Sequence, residues 1–252
     1  MGKYDHTFQI FTEEQIESLR EGGKILHDCL EMLSELTKPG VTTLELDQAA
    51  EAFIRDHGAE PGFKGYNDFP ATLCTSVDDI CVHGIPSDEE LREGEIVGVD
   101  CGVLYKDLYT DSCVTLALGN ISGEKRRIMD ATYDSLCMGI DIVRAGVRVG
   151  NISSAIHKKL LERGFDAVRA LTGHGLGDTL HQFPDIPNSG QVGAGAVIPE
   201  GTILAIEPIS TAGSTDIRED PDGWSLHTKD GAVSAHFEHT VLVTGQGCEI
   251  LT

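Results

Sequence analysis

Five acidic or imidazole side chains in this sequence sit where side chains could converge. Asp100 and Asp111 lie within VGVDCGVLYKDLYTDSC, Val97 to Cys113. Apolar and aromatic residues dominate this stretch, which predicts strand, turn and strand, with the turn near Tyr105-Lys106. A register with Leu104 opposite Asp107 sets Asp100 directly opposite Asp111 on one face. Cβ atoms so placed lie roughly 4.5–5.5 Å apart, and like charges there repel. His174 stands among glycines in LTGHGLG, where backbone can approach closely. Glu207 ends the apolar run ILAIE, and SAHFEHTVLVTG alternates so that His236, Glu238 and Thr240 share a face.

Taken singly, a strand carboxylate belongs on a solvated face, and a lone histidine belongs hydrogen-bonded in a core. Together, Asp100, Asp111, Glu207 and Glu238 supply four carboxylates and His174 an imidazole. Clustered carboxylates either share protons or bind cations, and four favour cations. Carboxylate and imidazole without thiolate suit Mn, Fe, Co or Zn better than a structural zinc. Five donors with bridging carboxylates fit a two-metal hydrolytic site, with ions ~3.5–4 Å apart.

The elements that must hold these groups repeat. PGVTTLELDQAAEAFIRDHGAE from Pro39 aligns without gaps to AGVRVGNISSAIHKKLLERGFD from Ala145, an offset of 106 residues. Each copy reads as Gly-Val, a polar turn, an amphipathic helix and a closing glycine. EGEIVGVD (Glu93 to Asp100) matches EGTILAIE (Glu200 to Glu207) at an offset of 107, each a turn and then a strand ending on a carboxylate. A duplicated α+β unit follows, with Asp100 and Glu207 in equivalent places. We expect a single domain over residues 1–252, its halves at about 12–120 and 121–252, sharing one sheet and one core. Ahead of the first repeat, Thr12 to Leu36 reads as a helix opened by the capping box TEEQ.

Hydrophobic content of 40% and charged content of 24% are globular values. The net charge of −22 disfavours nucleic-acid backbones, so no DNA partner is expected. The short basic islands EKRR (Glu124 to Arg127) and HKK (His157 to Lys159) read as solvated helix faces. Seven cysteines with no CxxC pair predict reduced, packed thiols. No apolar run is long enough to span a membrane. MGKYDHTFQIFTEEQ lacks a signal-peptide core, which leaves the cytoplasm as the expected compartment; the chain is expected to be a monomer.

The ordered motifs CVHGIP, VDCG, TDSC, GHGLG, IEP and FEHT, with DGWSLHTKDGAVSAHFEHT, resemble type I methionine aminopeptidases of the pita-bread fold, from Phe11 to about Leu251. The resemblance implies an α+β fold of two pseudo-symmetric halves sharing a central antiparallel sheet. It implies two divalent ions held by Asp100, Asp111, His174, Glu207 and Glu238, with Glu207 also the general base. His83 in CVHGIP and His181 in LHQFP match substrate-contacting histidines, His181 stabilising an oxyanion and His83 meeting the scissile amide nitrogen. Tyr66, Phe69, Cys74 and Trp224 would form the methionine slot.

With 30 residues between Glu207 and Glu238, the chain has no room for a type II insertion, and it resembles the minimal bacterial form. Phe63, Phe69, Leu180 and His236 depart from the common pattern, standing where Cys, Tyr, Phe and Gln are frequent. Implied partners are peptides and nascent chains beginning with methionine and followed by a small residue, with transient ribosome contact. Three rivals remain: a proline-directed peptidase of the same fold, a silent binding protein, and a metal-stabilised structural protein.

Overall fold

A computed structural model describes residues 7–252. The first six residues, read above for a leader segment, lie outside the described residues. The first half contains α1 (Glu13–Leu36), α2 (Thr43–Asp56), β1 (Glu60–Pro61), β2 (Leu73–Val77), β3 (Ile80–Val82), β4 (Ile96–Tyr105) and β5 (Leu108–Ala117). The second opens with α3 (Gly123–Ile142), α4 (Val149–Glu162), β6 (Asp166–Ala167), β7 (Thr172–Gly175), β8 (Gln182–Pro187) and β9 (Ile203–Ile206). It closes with β10 (Ile209–Thr211), β11 (Ile217–Glu219), β12 (Leu226–Thr228), β13 (Ser234–His236), β14 (Glu238–Val243) and β15 (Cys248–Ile250).

The helix starts follow their local chemistry. Thr12 accepts from the Gln15 N–H, and the Gln15 side chain accepts from the Thr12 N–H, so the capping box forms. Thr42 and Glu45 repeat the device on α2. The internal repeat holds to the residue: α2 and α4 both start and end 106 positions apart. Gly40 and Gly146 precede them with φ of 92° and 84°, a left-handed conformation that favours glycine.

The main sheet runs β1-β4-β5-β14-β9-β7-β8, with β2 also on β4 and β15 also on β14. Its centre is the antiparallel contact of β5 with β14, pairing Cys113 with Glu238 and Ser112 with His239. On β4, Val97, Val99, Cys101 and Val103 pack against Leu26, Leu33, Leu46 and Ile54 of α1 and α2. Leu204 of β9 and Val241 and Val243 of β14 likewise meet Ile128, Leu136, Ile152 and Ile156 of α3 and α4. Each such side chain contributes roughly 1.5–3 kcal/mol of burial energy. Since strand side chains alternate, Gly98, Asp100 and Gly102 face the opposite way, towards the site.

Three expectations need correction. The hairpin turns at Lys106-Asp107, both at positive φ (49° and 63°), in a two-residue loop between paired Tyr105 and Leu108. Asp100 therefore faces Cys113 and Asp111 faces Gly102, so the two aspartates are diagonal neighbours rather than directly opposite. The slip is two residues, which preserves the shared face. Next, β4 does not end on Asp100 but runs on to Tyr105, whereas β9 stops just before Glu207. Last, SAHFEHTVLV is not one strand: β13 pairs with β10, and after Phe237 the chain joins the main sheet as β14.

Candidate metal centre

A row of side chains crosses one face of the sheet. Cys74 pairs with Asp100, Asp100 with Cys113, and Cys113 with Glu238. Asp111 stands diagonally behind Asp100, its N–H donating to Thr240 Oγ1 at 2.9 Å. β7 brings His174 to the same face, and the glycines beside it are structural. A Cβ on Gly173 would lie 2.4 Å from the Ala205 carbonyl oxygen, and one on Gly175 would lie 2.3 Å from that of Phe183. His174 Nδ1 donates to the Gly175 carbonyl at 3.0 Å, which leaves the Nε2 lone pair facing the carboxylates. Nε2 sits 3.2 Å from Glu207 Oε1, and Asn188 Nδ2 anchors the Glu207 carbonyl at 2.8 Å.

The residues present suit a cation. Donor atoms of Asp111, His174 and Glu238 all lie within 4.8 Å of one another. Asp100 Oδ1, Asp111 Oδ1 and Glu238 Oε1 are buried without any hydrogen-bond partner. Orphaned buried carboxylate oxygens are costly unless something positive meets them. Burial pushes the Asp100 carboxyl up to about 7. Burial and then neighbouring carboxylates push Asp111, Glu207 and Glu238 well above their usual range. Without cations the cluster must hold protons, and cations would displace them.

His174, Asp100, Asp111, Glu207 and Glu238 line one pocket with about 530 Å³ of unfilled space, part of it open to solvent. Every site residue read from the sequence reaches this pocket: His83, His181, Tyr66, Phe69, Cys74 and Trp224 are there too. His181 stands 4.3 Å from the His174 ring centre, and its Nδ1 lies 3.3 Å from Tyr66 Oη. Phe69 meets Trp224 edge-on with ring centres 5.0 Å apart. Burial and then His181 lower His83 to about 4, so its imidazole is neutral near pH 7. Phe63, Val82, Leu180 and His236 also line the pocket. Phe63, Leu180 and His236 are three of the positions at which the sequence departs from the family pattern; Val82 had no signal beyond preceding His83.

The profile of metallopeptidase family M24 matches residues 17–245. A methionine aminopeptidase of Clostridium perfringens is 42% identical over 95% of this chain and 96% of its own. The chain belongs to the methionine aminopeptidases of metallopeptidase family M24. Methionine aminopeptidase 1 of Bacillus subtilis is 41% identical over 96% of this chain and 97% of its own. The crystal structure of the methionine aminopeptidase from Rickettsia prowazekii superposes with a TM-score of 0.95 at 36% identity, covering 98% of this chain and 100% of that one. The fold is the pita-bread fold. It extends to the prolidase from Pyrococcus furiosus (TM-score 0.79, 22% identity), of which this aminopeptidase covers 65%. At that identity the likeness is one of fold alone.

Proposed function

We propose that the enzyme removes the N-terminal methionine from nascent proteins and peptides whose second residue is small. In this reading, two divalent ions (Mn, Fe, Co or Zn) are held by Asp100, Asp111, His174, Glu207 and Glu238. The observation that carries it is the convergence of these donors, three with orphaned buried oxygens, on the pocket that Phe69 and Trp224 also line. Ions bound there would supply Lewis acidity towards the scissile carbonyl and lower the pKa of water.

The chain's own residues do the rest. Tyr66, Phe69, Cys74 and Trp224, helped by Phe63 and Leu180, take an unbranched, polarisable side chain. Glu207 is held beside His174 Nε2 and is the group placed to take a proton from attacking water and return it to the leaving amine. His181, fixed against Tyr66 and His174, donates to the oxyanion that develops. His83 meets the scissile amide nitrogen. Bulk in the second residue would displace the carbonyl, and a shift of about 1 Å can cost on the order of 10²-fold in rate. The enzyme acts as a cytoplasmic monomer, and a charge of −22 limits it to transient ribosome contact.

The test is release of methionine from Met-Ala-Ser by metal-free protein, with Mn, Fe, Co and Zn added back separately. Met-Leu and Met-Lys peptides should be poor substrates. Faster cleavage of Ala-Pro-Gly than of Met-Ala-Ser would make the protein proline-directed instead.

A further inference from the structure

His236 is the pocket histidine that this mechanism leaves without a task. It closes β13, and its side chain is 5% exposed, yet its Nε2 has no hydrogen-bond partner. That nitrogen lies 3.9 Å from Glu207 Oε2 and 3.7 Å from Glu238 Oε2. Both gaps exceed hydrogen-bond length. A shared cation would satisfy all three atoms. Two donors each about 2.1 Å from one ion can be at most about 4.2 Å apart, so each pair of atoms is close enough to share an ion and too far apart to bond directly.

Backbone bonds fix the position from which the ring projects. The His236 N–H donates to Thr115 Oγ1 at 3.0 Å, and its carbonyl accepts from the same hydroxyl at 2.6 Å and from Cys113 Sγ at 3.6 Å. These bonds pin His236 to β5, the strand that carries Asp111. The pairing of Ile209 with His236 fixes the other side. A donor held this firmly loses little freedom on binding a ligand.

We propose that His236 is a sixth protein donor to the metal centre, through Nε2 and beside Glu207 and Glu238. This rests on the metal-site reading above and extends it. The centre then carries two imidazoles, His174 and His236, instead of one. Added imidazole favours Fe, Co and Zn, whereas carboxylate alone suits Mn.

The experiment uses the Co(II)-loaded full-length protein with ¹⁵N-labelled histidine. Two imidazoles with the large contact shifts of a direct Co–N bond are expected in the wild type, one in His236→Gln and one in His174→Ala; His83 and His181 should show only the smaller through-space shifts. Zn and Co dissociation constants should rise about tenfold or more in His236→Gln, on the scale seen when groups around a metal are removed. Mn affinity should change less than about threefold, the selectivity expected of a lost nitrogen donor. The wild-type spectrum tests the idea even if a variant folds poorly. A single contact-shifted imidazole that disappears in His174→Ala would overturn the role of His236 while leaving the metal site standing. Unchanged Co binding in both Asp100→Asn and His174→Ala would instead overturn the site itself, and His236 as its donor with it.

Discussion

His174 points its Nε2 at Glu207, 3.2 Å from Oε1, because its Nδ1 is committed to the Gly175 carbonyl. The pair joins β7 to the end of β9, so the imidazole tautomer and the carboxylate position are set by backbone.

Asp100→Asn and His174→Ala should each abolish peptidase activity while the protein stays folded, since both lesions are confined to the pocket. Activity within tenfold of wild type in either variant would contradict the ligand set. Chelation should lower the melting temperature, because ions that bind only the native state stabilise it by mass action. Calorimetry with and without chelator measures this.

His83 adopts a φ of 62°, a left-handed conformation that asparagine tolerates better than alanine. His83→Asn therefore removes the imidazole with less backbone strain. We expect kcat to fall roughly 10²-fold while metal content is unchanged. Metal content falling in step with kcat would make His83 a ligand and refute its role at the amide nitrogen.

Gly102 stands opposite Asp111, and a Cβ there would lie 2.5 Å from Phe63 Cε1. Gly102→Ala should push the Phe63 ring into the methionine slot and raise KM for Met-Ala-Ser about tenfold, the equivalent of ~1.4 kcal/mol and within the usual range for overpacking. The double variant Gly102→Ala/Phe63→Ala should recover most of that loss. Equal KM in wild type and Gly102→Ala would remove Phe63 from the slot wall.

Arg20 of α1 grips Glu249 of β15 through Nε to Oε1 at 2.8 Å and Nη2 to Oε2 at 2.9 Å. Arg20 holds the Glu249 carboxyl below its usual range. A depressed carboxylate adds stability that is present above its unfolded pKa, about 4.3, and lost as pH falls through the lower folded value. Both side chains are more than a third or so exposed, which limits the effect to about 1 kcal/mol or less. Arg20→Met should therefore lower stability slightly at pH 7 in urea melts, with the difference shrinking below about pH 4.3. A difference that grows in acid would show that the pair does not act as a salt bridge.

Local signals carried much of this architecture. TEEQ marks a helix start because Thr12 and Gln15 satisfy each other's backbone donors. The 106-residue offset survives folding because Gly40 and Gly146 make the same left-handed turn before α2 and α4. What eluded the sequence was register and sheet membership. Lys106-Asp107 forms a turn usually made by Asn-Gly, so the hairpin centre was misplaced. The break at Phe237 depends on β10, some 30 residues upstream, and no local pattern announces it. Five ligand candidates were readable through motif and order. The proposal for His236 Nε2 depends on its distances to Glu207 and Glu238, which the sequence does not carry.

The contact between β5 and β14 divides the proposed ligands between the halves: Asp100 and Asp111 on one side, His174, Glu207 and Glu238 on the other. A growing polypeptide acquires them in that order during translation. Until His174 has been added, 63 residues after Asp111, the chain can offer a cation only the two carboxylates of the first half. On the proposed ligand set, the full complement of donors comes together only when β14 docks on β5, so a complete centre is a product of folding.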